Sequence, residues 1–156
     1  MAAALHGKKD VVDLLVSKGA DLTLKDDCSR NALHLACEGG NSGIVEDLLP
    51  LFDINCRGEE GWTPLMAAAL HGKKDVVDLL VSKGADLTLK DDCSRNALHL
   101  ACEGGNSDIV EDLLPLFDIN CRGHEGLTPL MEAARYGKKD VVDLLVSKGA
   151  DLTLKR

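Results

Sequence analysis

Short apolar stretches of helical period alternate with polar breaks along the whole chain. Leu65, Ala68 and Ala69 fall on one side of a short helix and give it a small-residue face. Before them, Thr63 is suited to an N-cap, and Pro64 to the first helical position, where the missing N–H does no harm. Gly72 predicts the stop. A second apolar stripe follows at Val76, Val77, Leu79 and Leu80, with Asp75 at the positive end of the helix dipole and Gly84 beyond the last turn. From Ala85 a polar turn containing Asp and Gly leads on, short enough for a hairpin-like finger. The stretch from Asp92 to Gly123 uses the same grammar. Asn96 is predicted to cap its first helix, Gly104-Gly105 to break it, Ser107 to cap the second and Pro115 to stop it.

The pattern recurs because the chain repeats itself. Met1–Leu65 matches Met66–Leu130 except at Gly43/Asp108, Glu59/His124 and Trp62/Leu127. A third copy starts at Met131 and departs at Ala67/Glu132, Leu70/Arg135, His71/Tyr136 and Asp91/Arg156. Within each copy, Thr63-Pro64-Leu65-Met66 aligns with Asn96-Ala97-Leu98-His99, about 33 residues on, and this period predicts a stacked-repeat solenoid.

These residues resemble the ankyrin repeats. One half carries the pattern at Gly61, Thr63, Pro64, Leu65, Ala68, Ala69, Gly72, Val76, Val77, Leu79, Leu80, Gly84, Ala85 and Asp86. The other carries it at Asn96, Leu98, His99, Leu100, Ala101, Gly105, Ile109, Val110, Leu113 and Leu114. The resemblance covers the whole chain and implies an all-α ankyrin-repeat solenoid of helix-turn-helix units joined by hairpin-like fingers. The implied units of this single domain, residues 1–156, are 1–26 (partial), 27–58, 59–91, 92–123 and 124–156. There are departures. Met66 stands where the family has His, and Asn96-Ala97 stand for Thr-Pro. Pro115-Leu116-Phe117-Asp118 replace the Gly-Ala-Asp turn, with Phe117 expected to pack over the altered exit.

Composition narrows the function. The chain is 45% hydrophobic and 3% aromatic, so its core is aliphatic and small. A net charge of −8 argues against binding phosphate backbones or anionic membranes. No apolar run approaches the roughly 20 residues that span a bilayer. Six cysteines without a CxxC pair predict reduced thiols in a cytoplasmic or otherwise intracellular, reducing compartment. Of these, Cys37 and Cys102 match a packed position, Cys56 and Cys121 a small turn residue, and Cys28 and Cys93 lie on fingers as candidate exposed thiols. The sequence assigns no catalytic residue, no metal site and no cofactor. His34 with Cys37, and His99 with Cys102, offer two zinc ligands where a structural site needs four. The resemblance gives both histidines a structural role, bonding the backbone of a neighbouring unit. Glu38-Gly39-Gly40-Asn41-Ser42 lacks the Lys-Ser/Thr and the strand of a phosphate loop. Ser29 and Ser94 have no base assembled beside them, and no carboxylate pair is set in an apolar cleft.

Differences between copies mark a candidate surface. The resemblance places Glu59/His124, Trp62/Leu127, Leu70/Arg135 and His71/Tyr136 on the fingers and at the ends of first helices, which in the family line a concave partner-binding face. The expected partner-binding set is Glu59, Glu60, Trp62, Leu70, His71, Asp92, Arg95, Glu103, His124, Leu127, Arg135 and Tyr136. Trp62 and Tyr136 are the expected anchors, since Trp, Tyr and Arg dominate binding hot spots. Arg30, Arg95 and Arg135 could clamp carboxylates or stand as solvated charge. Drift at exposed positions is the plainer explanation of such differences, yet exposed Lys73, Lys74, Asp78, Ser82 and Lys83 do not vary between copies. The acidic pairs Asp26-Asp27, Glu59-Glu60 and Asp91-Asp92 are expected at finger tips. The reading is a non-catalytic module that binds another protein. Its alternative is a duplicated or engineered scaffold without a dedicated ligand, self-associating through uncapped ends.

Overall fold

The computed structural model describes all 156 residues. It holds ten α-helices and no β-strand: α1 (Ala2–Leu5), α2 (Lys9–Ser17), α3 (Ala32–Gly39), α4 (Ser42–Leu48), α5 (Pro64–Leu70), α6 (Lys74–Ser82), α7 (Ala97–Gly104), α8 (Ser107–Leu113), α9 (Pro129–Arg135) and α10 (Lys139–Ser147). Successive helices come in pairs joined by tight turns, as the apolar stripes predict. Two compact units are distinct: Met1–Ala68 with Lys73–Asp86, and Ala69–Gly72 with Leu87–Arg156.

In the first unit, α1 packs on α3, α3 on α4, and α4 on both α2 and α6. Leu33, Ala36, Cys37, Ile44, Val45, Leu48, Val76, Val77 and Leu80 form its core. Each large aliphatic side chain there contributes roughly 1.5–3 kcal/mol of burial. Helix α3 opens on a reciprocal cap. The Asn31 side chain accepts from the His34 N–H at 3.1 Å, and the Asn31 N–H donates to His34 Nδ1 at 3.3 Å. That leaves His34 Nε2 to donate to the carbonyls of Cys56 and Trp62, each at 3.1 Å, tying the helix to the following finger. Burial pushes the His34 imidazole down from its ordinary value, so the neutral form that these bonds require is favoured.

In the second unit, α7 packs on α8 and α9, and α10 on α8 and α9. The core repeats the scheme with Leu98, Leu100, Ala101, Cys102, Ile109, Val110, Leu113, Ala133, Val141 and Leu145. Asn96 and His99 make the same reciprocal cap on α7, and His99 Nε2 donates to the Leu127 carbonyl at 3.2 Å. The structural role that the resemblance implied for both histidines is thus visible in the bonds they make.

Two expectations about helix ends are corrected. Ser107 does not cap α8. It is the first helical residue, and Asn106 stands at the cap position without a side-chain cap bond. Asn106 Nδ2 donates instead to the Ala69 and Leu70 carbonyls at 3.1 and 3.3 Å, closing the end of α5. Pro115 does not end the chain's helical path. α8 stops at Leu113, and Pro115 sits inside a 3₁₀ turn, Leu114–Leu116, where its missing N–H is not needed.

Gly104 shows why this junction is closely drawn. A Cβ at Gly104 would stand 2.2 Å from the Leu70 backbone oxygen, so a side chain there displaces the main chain. Gly104→Ala is expected to lower stability by about 1–3 kcal/mol, the cost of overpacking, although Ala is the better helix former. Urea unfolding of the variant checks this, and a neutral or stabilising result contradicts the close approach.

Candidate interaction site

The fingers are built from turns that begin with Asp. In the first unit, Asp26 Oδ1 accepts from the N–H groups of Cys28 and Arg30 at 3.0 and 2.8 Å. Arg30 Nε then donates to Asp26 Oδ2 at 2.8 Å, and its Nη1 to Glu38 on α3 at 2.6 Å. A second turn closes through the Gly58 N–H donating to the Trp62 carbonyl at 2.8 Å, with Glu60 at φ 55°. In the second unit the same constellation is more deeply set. Asp91 Oδ1 accepts from the N–H groups of Cys93 and Arg95 at 3.0 and 2.8 Å. Arg95 Nε and Nη2 both lie 2.8 Å from Asp91 Oδ2, and Nη1 lies 3.0 Å from Glu103.

This geometry redistributes the expected binding residues. Arg95 is spent internally: its side chain is 12% exposed and the Asp91 side chain 0%. Asp91 is therefore a buried structural carboxylate and not a finger-tip charge, whereas Asp92 beside it is exposed. Leu127, expected to face a partner, is only 4% exposed and offers none of its side chain. Its apolar chain turns inward while its carbonyl receives the His99 bond. Trp62, at the matching position, is half-buried, and its indole Nε1 is buried without a hydrogen-bond partner.

Glu59, Glu60, His71, His124, Arg135 and Tyr136 are exposed, and Leu70 and Glu103 are half-exposed. The Arg135 guanidinium lies over the Tyr136 ring, 5.7 Å from its centroid, a cation–π contact. Burial first, and then the Glu103 carboxylate, push the Tyr136 phenol up. In the second unit, Arg95 thus meets Glu103, and Arg135 meets Tyr136 at the end of α9.

One buried charge of the second unit was missed. Glu132 on α9 is 2% exposed. Burial and the neighbouring Glu103 raise its carboxyl above the ordinary range, against the pull of Arg135, Arg95 and His124. The signal was in the sequence, where Ala67 is exchanged for Glu132. A packed small-residue position gave it no weight as surface.

Cys28, Cys37 and Cys102 are ill suited to nucleophilic work. Cys37 and Cys102 are buried, and burial pushes both thiols far up. Cys28, an expected exposed thiol, is half-buried, and a bond with Glu59 raises it. A raised thiol supplies little thiolate at neutral pH. No helix is long and apolar enough to cross a membrane.

A family model described as ankyrin repeats (3 copies) matches residues 1–91 and 86–156. The chain is 34% identical over 153 residues to the B-cell lymphoma 3 protein homolog of Mus musculus, covering 94% of this chain and 34% of that protein. It is 36% identical over 135 residues to the ankyrin repeat domain-containing protein 63 of Homo sapiens, covering 78% of this chain and 35% of that one. It is 30% identical over 151 residues to the human transient receptor potential cation channel subfamily A member 1, covering 90% of this chain and 14% of that channel. The chain therefore spans about a third of the first two relatives' length and less of the third.

Proposed function

Since the chain belongs to the ankyrin-repeat family, we propose that it is a non-catalytic module that binds another protein through its finger tips and first-helix ends. Residues 1–156 act in this reading as one binding domain. The observation that carries it is where the copies differ. Glu59, His71, His124, Arg135 and Tyr136 are exposed on turns and helix ends, and the differing positions that lie buried are Ala67 with its counterpart Glu132, Asp91 and Leu127. The net charge of −8 supports a protein partner over nucleic acid or an anionic membrane. Six free cysteines support an intracellular, reducing setting.

The internal copies supply variants that keep the fold. Trp62→Leu installs the residue found at position 127, and Tyr136→His the residue found at position 71. Cross-linked capture from a cell lysate is expected to yield a specific partner with the parent chain. The double variant should lose at least about tenfold of it, the scale of two anchor residues. Undiminished capture by the variant moves the site elsewhere.

A second reading is a repeat scaffold that self-associates. It is supported by an apolar groove in the first unit, lined in part by Met1, Ala4, Val12, Leu15, Leu24 and Leu48. Concentration-dependent size in light scattering, with no partner captured, favours it. A monomer at high concentration removes it.

A further inference from the structure

We propose that the outer face of α1 and α2 is a second protein-binding surface, which receives a helix pair of the α7–α8 kind from a partner protein. It is separate from the finger-tip face proposed above and does not depend on it.

The chain itself shows what such a face accepts. Helices α2, α6 and α10 share one sequence, Lys-Asp-Val-Val-Asp-Leu-Leu-Val-Ser. α6 packs on α4, and α10 on α8. There the first valine and the second leucine are wholly covered: Val76, Leu80, Val141 and Leu145 are all 0% exposed. Their counterparts on α2, Val11 and Leu15, are 45% and 46% exposed. Four residues apart, these two lie on one face of the helix. Only Val12 of α2 is buried. On α1, Ala3 is half-buried, whereas its counterparts Ala68 and Ala133 are 0% exposed. Leu15 also borders an apolar groove with Met1 and Leu24, both exposed. The residues are the same in each copy, so the exposure reflects what packs on them. A contiguous apolar surface of this kind marks an interaction site.

Polar groups define the occupant. Lys148, at the end of α10, lies 3.3 Å from Glu111 of α8, and Lys83 borders one pocket with Glu46 of α4. The lysine at the matching end of α2 is Lys18, which is exposed. The main chain adds a second requirement. The Asp86 N–H donates to Asn55 Oδ1 and the Asp151 N–H to Asn120 Oδ1, both at 2.9 Å. Asp21 is the corresponding residue. α4 and α8 bury Ile, Val and Leu. A partner helix pair with the same apolar residues, a carboxylate for Lys18 and an Asn oxygen for the Asp21 N–H therefore complements the face. In a second copy of the chain α4 and α8 are already engaged, with α6 and α10, so a folded second copy does not supply it.

The test uses the whole chain and a fluorescein-labelled synthetic peptide of residues 92–123, which holds α7, α8 and Asn120. Binding is read by fluorescence anisotropy under reducing conditions, and the Asp21 amide is followed by NMR. The expected result is saturable binding, with a shift and slowed exchange of the Asp21 amide. Leu15→Asp should weaken binding at least about tenfold, the weight of one leucine taken out of water. Circular dichroism checks its fold, and a charge exchange decides the matter if that variant unfolds. Lys18→Glu should bind the peptide about threefold more weakly, the scale of an exposed ion pair, and Glu111→Lys in the peptide should restore the loss. Damage to the fold cannot produce that restoration. No saturable binding overturns the proposal. So does equal binding of a peptide of residues 59–91, which holds α5 and α6 instead. Self-association of the chain that Leu15→Asp abolishes, without peptide binding, assigns the face to a second copy and overturns it too.

Discussion

Asp91→Asn is expected to lower the unfolding free energy by about 3–5 kcal/mol, the cost of breaking a buried ion pair from one side. The Asp91 side chain is wholly buried and accepts four bonds: two from the turn's own N–H groups and two from Arg95. An amide can still accept from the turn with its oxygen. Its NH₂ would then face the Arg95 guanidinium, donor against donor, and that cation would keep only Glu103. The internal control is Asp26→Asn, which cuts the same bonds from a residue of the same local sequence. There the Arg30 and Asp26 side chains are 34% and 23% exposed, so water replaces much of what is lost. A loss of about 1 kcal/mol is expected for it, the upper end for exposed pairs. Urea unfolding of the two variants separates the cases. Equal losses would show that the turn bonds, and not burial of the charge, set the cost.

That contrast also shows what a sequence can reveal here. The helix pairs were legible because their apolar stripes, caps and glycine stops repeat with period and position intact. Gly72 and Gly84 stop helices at φ 71° and 86°, as side-chain-free residues can. What could not be read was how deep a residue lies when its local sequence is the same in both copies. Asp26 and Asp91 begin identical turns, yet only Asp91 is fully enclosed. Leu127 and Trp62 occupy matching positions, and the smaller chain turns inward where the indole stays partly outside. Such differences come from packing between distant segments, which no local pattern encodes. Asn106 was read past for a similar reason. Its cap position is local, but the carbonyls that it serves lie 36 and 37 residues away.

Acidification is expected to remove about 3 kcal/mol of stability between pH 6.5 and pH 4 through His99 alone. Burial pushes this imidazole down to about 4 from an ordinary 6.5, and each unit is worth about 1.4 kcal/mol. In the unfolded chain His99 takes up its proton near pH 6.5, whereas the folded chain refuses it until about pH 4. The contribution is thus fully present above the unfolded value and is lost as pH falls. The structural reason is that Nδ1 accepts from the Asn96 N–H while Nε2 donates to the Leu127 carbonyl, in a site without solvent. Glu132 acts in the opposite sense. Its folded carboxyl is raised, so its contribution is present below the unfolded value of 4.5 and is lost as pH rises through the folded one. Stability measured by urea at a series of pH values should therefore fall less steeply in the parent chain than in Glu132→Ala, where the opposing contribution of the carboxyl is gone. His99→Gln keeps a donor toward Leu127 but cannot titrate, and should flatten the curve while lowering it at neutral pH. A parent curve that is flat from pH 7 to pH 4, with His99 titrating near 6.5 by NMR, would contradict the buried neutral imidazole.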